Sequence, residues 1–245
     1  MMKQLFTCLV AAVLCLPGQA QGRQQDSLAI LLIDRMSDVI GDLESCHFTV
    51  QSSRDVVDTH GLQVKQFTQY EVYLSGNDKL LVNAQGPRGH RALWFNAGVL
   101  AHYNQEEKNY ALLRVPEKTI EMIDSVSKWY EMEFPAADFF YPTFTDDLLD
   151  HADVVKFLGR TTINGQECFH VLASNQEMTM QFWIANDAFN LPVRYAITYT
   201  GQSGHPQYEA SFSNWQVNPS LPLAMFNFQP PPGVTQVRML ATDER

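Results

Sequence analysis

The apolar positions along this chain repeat in two different ways. Near the N-terminus Leu28, Leu31, Leu32, Met36, Val39, Ile40 and Leu43 fall at spacings of three and four, behind Asp26 and Ser27 as available caps. The spacing predicts a helix over Ser27–Leu43 with one apolar stripe meant for a hydrophobic surface, its last turn weakened by Gly41. The period then changes to two. Between Leu62 and Leu74 one face carries Leu62, Val64, Tyr70, Val72 and Leu74, and the other carries Gln63, Lys65, Gln69 and Glu71, interrupted by Phe67 and Tyr73. Strand-like runs also cover Phe48–Val50, Leu80–Asn83, Ala92–Phe95, Val99–Tyr103 and Tyr110–Arg114, with turn residues at Ser75–Asp78, Gly86–Pro87 and Asn96–Gly98 between them.

The middle of the chain breaks this rhythm. After Pro116, Ile120, Ile123, Val126 and Trp129 return to helical spacing, and the stretch around Phe139, Phe140 and Tyr141 predicts short helical turns. A helical insert is therefore expected over about residues 116–150. Strands resume at Val154–Leu158, Cys168–Leu172, Met178–Ile184, Val193–Thr200 and Tyr208–Trp215, and Asn164-Gly165 is a two-residue hairpin signal. The pattern predicts an α+β fold, with about eleven strands in an antiparallel meander. A sheet of that length curls into an incomplete β-barrel, and the N-terminal helix and the insert would cover its concave face.

The ends change the picture. Lys3, the apolar run Leu5–Leu16 and Gly18-Gln19-Ala20 together make a cleavable secretory signal over residues 1–20, leaving one domain over 21–245. Bacterial lipoproteins carry a small residue directly before the lipidated cysteine. Here Leu14 precedes Cys15 and Thr7 precedes Cys8, so no lipid anchor is expected. The formal net charge of −10 argues against nucleic acid, whose phosphates need clustered Lys and Arg. Cys46 and Cys168 remain after the signal. One follows the helix and the other lies far along the meander, and a disulfide needs Cα atoms within about 7 Å. Two free thiols are the expectation.

Candidate chemistry concentrates at Gln166–Ala173, where Cys168 and His170 stand two residues apart. Side chains so spaced share one face of a strand but lie about 7 Å apart along it. That exceeds a direct nucleophile–base hydrogen bond, so a thiol packed beside a hydrogen-bonded histidine is the preferred reading over catalysis. Asp146, Asp147, Asp150, His151 and Asp153 crowd together after Thr145. Thr145 followed by acids reads as a capped helix start rather than a metal site. No Gly-x-Ser-x-Gly, phosphate-binding loop or His-Glu-x-x-His motif occurs, and neither enzyme chemistry nor a cofactor is expected.

The C-terminal "AMFNFQPPPGVTQV", Ala224 to Val237, resembles the ending of LolA-like proteins, the periplasmic lipoprotein carriers and their relatives. The segment from Cys46 to Leu74 is similar to the first hairpin of that fold. A closer resemblance is to an uncharacterised branch of exported proteins sharing it. It is carried by "LLIDRMSDVI" (Leu31 to Ile40), by Gly165, Cys168 and His170, and by Gln181-Phe182-Trp183-Ile184. Leu191-Pro192-Val193-Arg194 and "GHPQYEASFSNW" (Gly204 to Trp215) complete the set. The lipoprotein carriers have an Arg-Pro pair at the end of the second strand, where this chain reads Leu74-Ser75-Gly76-Asn77, with Gly76 in the arginine's place.

What the resemblance implies is a periplasmic, monomeric protein holding a hydrophobic small molecule or lipid in its half-barrel. A lipoprotein or another envelope protein would be a further partner. The expected lid and cavity residues are Leu28, Leu32, Met36 and Val39 on the helix and Phe48, Val50, Tyr70 and Val72 on the first hairpin. Relatives are often polar at the position of Phe169, which implies that Cys168 and His170 face inward, with Trp183 beside them. The alternative, from another class, is an interaction or sensor module whose interior is filled by its own side chains.

Overall fold

The computed structural model describes residues 23–134 and 136–242, so the expected signal peptide lies outside the described residues. The chain opens with β1 (Gln24–Gln25) and α1 (Ser27–Gly41). Six strands follow: β2 (Ser45–Val57), β3 (Gln63–Ser75), β4 (Lys79–Gly86), β5 (Gly89–Asn96), β6 (Val99–Asn104) and β7 (Asn109–Arg114). The insert consists of α2 (Thr119–Tyr130), a 3-10 turn (Ala137–Phe140) and α3 (Phe144–His151). Five more strands are β8 (Val154–Ile163), β9 (Gln166–Ser174), β10 (Thr179–Ala185), β11 (Pro192–Thr198) and β12 (Gln207–Val217). A 3-10 turn (Leu223–Phe226) and β13 (Thr235–Gln236) end the chain.

All strands belong to one sheet, in the order β1-β8-β9-β10-β11-β12-β2-β3-β4-β5-β6-β7-β13. Its two ends do not meet, so the sheet is open. The eleven long strands are the eleven that the alternating pattern predicts, paired antiparallel throughout. The correction is at the edges. β1 and β13 pair parallel with β8 and β7, which makes a mixed sheet of 13 strands. The register of β2 with β12, 13 residues of pairing between β2 and β3, and the Asn164-Gly165 turn (both at positive φ) fix which side chains face in.

Local chemistry explains the boundaries. The Asp26 carboxylate accepts the Leu28 N–H at 2.9 Å and starts α1. The helix stops at Gly41, two residues earlier than expected, and buries Ala29, Leu32, Ile33, Met36 and Ile40. Leu28 and Leu31 are each 45% exposed and fall outside the buried stripe. α3 is preceded by Thr143, not Thr145: the Thr143 hydroxyl donates to the Asp147 carboxylate at 2.7 Å, while Thr145 sits buried inside the helix.

The helices lie on one face of the sheet, and the core forms between them. Phe139 of the insert, 2% exposed, is ringed by Phe144, Phe182, Tyr195 and Phe212 with centroids 5.2–6.3 Å away. Phe48 stacks on Trp215 at 4.3 Å and lies 6.0 Å from Phe140. Trp215 reaches that face because the β12–β2 register shifts between Ser213 and Gln216, with Asn214 at positive φ. The half of the concave face beneath α1, α3 and the 3-10 turn is therefore filled by protein. On the opposite face Phe228 packs against Trp94 and Tyr110 at 5.0 and 5.2 Å, which straps the C-terminal segment across β5–β7.

Candidate functional site

Where the concave face is not filled, the residues get smaller. Along β4 the inward positions run Leu80, Val82, Ala84 and Gly86, and Ala84 pairs with Tyr70 on one side and Arg91 on the other. A Cβ on Gly86 would come within 2.6 Å of the Thr68 hydroxyl, so only glycine lets β3 and β4 close up there. The consequence is a cavity of about 520 Å³ between β2–β6 and the segment Tyr130–Phe134. That segment leaves α2 through Glu131, which takes left-handed φ and ψ of 53° and 35° as the helix cap. The Arg54 guanidinium joins the Glu133 carboxylate at 2.7 Å and ties the segment back to the sheet.

The cavity's wall is partly apolar and partly polar, and Glu131 and the Arg54–Glu133 pair stand on it as well. Tyr70, Val82, Leu93, Met132, Phe134 and Tyr208 supply its apolar surface. Val82 and Phe134 also border a second, smaller void of about 30 Å³ under α2, whose lining is apolar. Arg88 and Arg91 supply a cationic side, with His102 next to them. Burial pushes the Arg91 guanidinium below its ordinary value, and the neighbouring Arg88 adds to that. Burial likewise lowers His102, with Arg91 and Arg88 contributing, so its ring is neutral at neutral pH. Among the described residues no group of His, Cys, Asp and Glu is arranged to hold a metal ion.

The structure brings few of the expected site residues to this cavity. Tyr70 lines it, and Val72 borders the small void under α2. Leu32 and Met36, 3% and 0% exposed, are core, as are Phe48 and Val50. Val39 packs against that core and Leu28 faces outward. Cys168, His170 and Trp183 correct the expectation most. Val171 and Phe182, which pair with one another, point into the core, so Cys168, His170 and Trp183 occupy the opposite face. There the His170 ring stacks on Trp183 at 4.5 Å and bonds the Gln181 side chain at 3.0 Å. Cys168 is buried too, its thiol donating to the Gln166 carbonyl at 3.5 Å, and both it and Cys46 are free. Burial raises the Cys168 thiol and pushes Cys46 up to about 12, so neither is poised as a nucleophile.

Sequence reasoning missed Arg91 and His102, although a signal existed. Arg91, Leu93 and Phe95 alternate on one face of β5, so a charge occupies a position whose two successors are inward and apolar. Gly76, which stands in the carrier arginine's place, closes the β3–β4 turn at φ 61° and donates its N–H to the Glu44 carbonyl at 2.8 Å. A side chain there would be strained.

A family described as "Predicted periplasmic protein (DUF2092)" matches residues 29–240. The chain belongs to this family. Among solved structures, the lipoprotein LppX of Mycobacterium tuberculosis is similar over 81% of this chain and 100% of its own, with 14% identity and a TM-score of 0.51. An uncharacterized conserved protein from Thermus thermophilus aligns over 86% of this chain and 99% of its own, with 11% identity and a TM-score of 0.49. A LolA superfamily protein from Nitrosomonas europaea aligns over 82% and 97%, with 10% identity and a TM-score of 0.38. At these identities the likeness is one of fold, and of the three LppX alone passes a TM-score of 0.5. Comparison with curated proteins gives no match. The DUF2092 chain is thus an α+β protein whose fold is similar to that of LppX, from a family described as periplasmic.

Proposed function

We propose that this DUF2092 protein is exported through a cleaved signal peptide and holds a ligand with an apolar body in the cavity under Tyr130–Phe134, as a passive carrier. The observation that carries this reading is the cavity itself. It stays open at about 520 Å³ while the half of the concave face beneath α1 and α3 is packed, and that volume falls among those of small-molecule sites, roughly 300–1,000 Å³. Apolar walls would replace water around the ligand at about 25 cal/mol per Å² buried. The moving part would be Tyr130–Phe134 rather than α1, because α1 is bound into the core by its whole buried stripe, whereas the segment is irregular and its ion pair to the sheet, Arg54–Glu133, is exposed.

The test is native mass spectrometry of protein recovered from an exporting host, with displacement of an environment-sensitive apolar dye by lipids. A bound apolar species, or dye displaced by lipid, supports the carrier. A cooperatively folded protein that binds neither dye nor lipid defeats it. One observation favours the interaction module as a second reading. The β2–β3 hairpin runs past its neighbours and exposes Val57, Leu62 and Phe67 at 72%, 63% and 66%.

A further inference from the structure

Ion pairs hold some of the cations of this acidic chain. Arg54 pairs with Glu133, Lys65 with Asp55, Lys79 with Asp78 and Arg160 with Glu167. Arg88 and Arg91 line the cavity and stand outside these pairs. Among the described residues no carboxylate stands within ion-pair distance of either, and the Arg91 Nε is buried with no hydrogen-bond partner. Glu107 acts on Arg91 only through space, its own carboxylate accepting the Asn109 side-chain amide at 2.9 Å. Two neighbouring guanidiniums, one of them partly desolvated and unsatisfied, are a costly arrangement. They become favourable once an anion arrives to accept their hydrogen bonds.

Position matters as much as charge. Arg88 sits exposed in the β4–β5 turn at the cavity's mouth, and Arg91 lies beside Ala84 and Tyr70 one step inside. The next row inward is Val72, Val82, Leu93 and His102, which leads to Phe134 and the apolar void under α2. The site is thus cationic at its entrance and apolar behind, and His102 between the two carries no charge at neutral pH. We propose that the cavity selects a single-chain anionic amphiphile, its carboxylate or phosphate head held by Arg91 and Arg88 and its chain laid along Leu93 and Val82 toward Phe134. This rests on the carrier reading and names the ligand class for it.

The experiment compares dodecanoate, dodecan-1-ol and inorganic phosphate as ligands of the mature protein, by calorimetry and dye displacement. Arg91→Gln and Arg88→Gln are measured beside it once each shows a cooperative melt. Dodecanoate is expected to bind about tenfold or more tighter than the alcohol, as a charge-assisted hydrogen bond predicts. Both variants should shrink that ratio while leaving the alcohol's affinity within about twofold. Should Arg91→Gln fail to fold, the exposed Arg88→Gln decides alone. Equal affinity for the acid and the alcohol would overturn the charge selection and leave the carrier intact. Phosphate alone competing as well as dodecanoate would mean a small-anion site and also overturn it. Binding of neither chain would sink the carrier reading, and this one with it.

Discussion

Phe139 offers the sharpest test of how the insert is held. It belongs to no long helix, yet its ring is buried between Phe144 of α3 and three strands, through Phe182, Tyr195 and Phe212. Truncation to alanine removes that ring and leaves a void that the surrounding strands, fixed by their ladders, cannot collapse to fill. Phe→Ala at such sites costs about 3–5 kcal/mol, and the edge-to-face contacts put this one toward the upper end. For a domain of this size each kcal/mol moves the midpoint by about 2–4 °C, so Phe139→Ala should melt about 6–20 °C lower. Urea unfolding followed by both circular dichroism and tryptophan fluorescence gives the free energy directly. Phe189→Ala, at a ring 50% exposed, should change stability by less than about 0.5 kcal/mol. A Phe139→Ala loss below about 1 kcal/mol with an unchanged denaturant slope would refute the picture of the insert as a plug.

Other outcomes follow from the same geometry. Arg54→Ala should cost less than about 1 kcal/mol, as exposed ion pairs do, yet speed ligand release measured by stopped-flow dye chase; an unchanged off-rate would exclude Tyr130–Phe134 as the gate. Because burial keeps the His102 ring neutral when folded, while the unfolded ring protonates at its ordinary 6.5, stability should fall as pH drops below about 6.5. His102→Leu should flatten that part of the profile relative to wild type, and parallel profiles would show that His102 contributes nothing. Native protein should resist thiol alkylation, and unfolding without reductant should expose two reactive thiols per mature chain; none would mean a disulfide.

Most of the sheet was legible because alternation persists over enough residues to define a face. Leu62 to Leu74 gave both the strand and its inward side, and α1 declared itself by its 3.6 period and its Asp26 cap. β1 and β13 could not be read, since two residues have no period and their partners lie more than a hundred positions away. The orientation of β9 failed for a different reason. Both of its faces are covered, one by the core and the other by the His170–Trp183 stack, so polarity alone does not choose between them. The cavity was hidden because it arises from what is small, Ala84 and Gly86, and from the left-handed turn at Glu131, while arginines in strands read by default as solvated.

The two dipeptide strands have a consequence for the protein in a crowded envelope. Gln24 and Asp26 donate to the carbonyls of Asp153 and Val155, and Thr235 and Val237 donate to those of Lys108 and Tyr110. Each occupies the rim of a long sheet that would otherwise offer bare acceptors to any extended chain. They act as stoppers: a protease that trimmed a few residues past either one would turn a self-contained molecule into a template for polymerisation through β8 or β7.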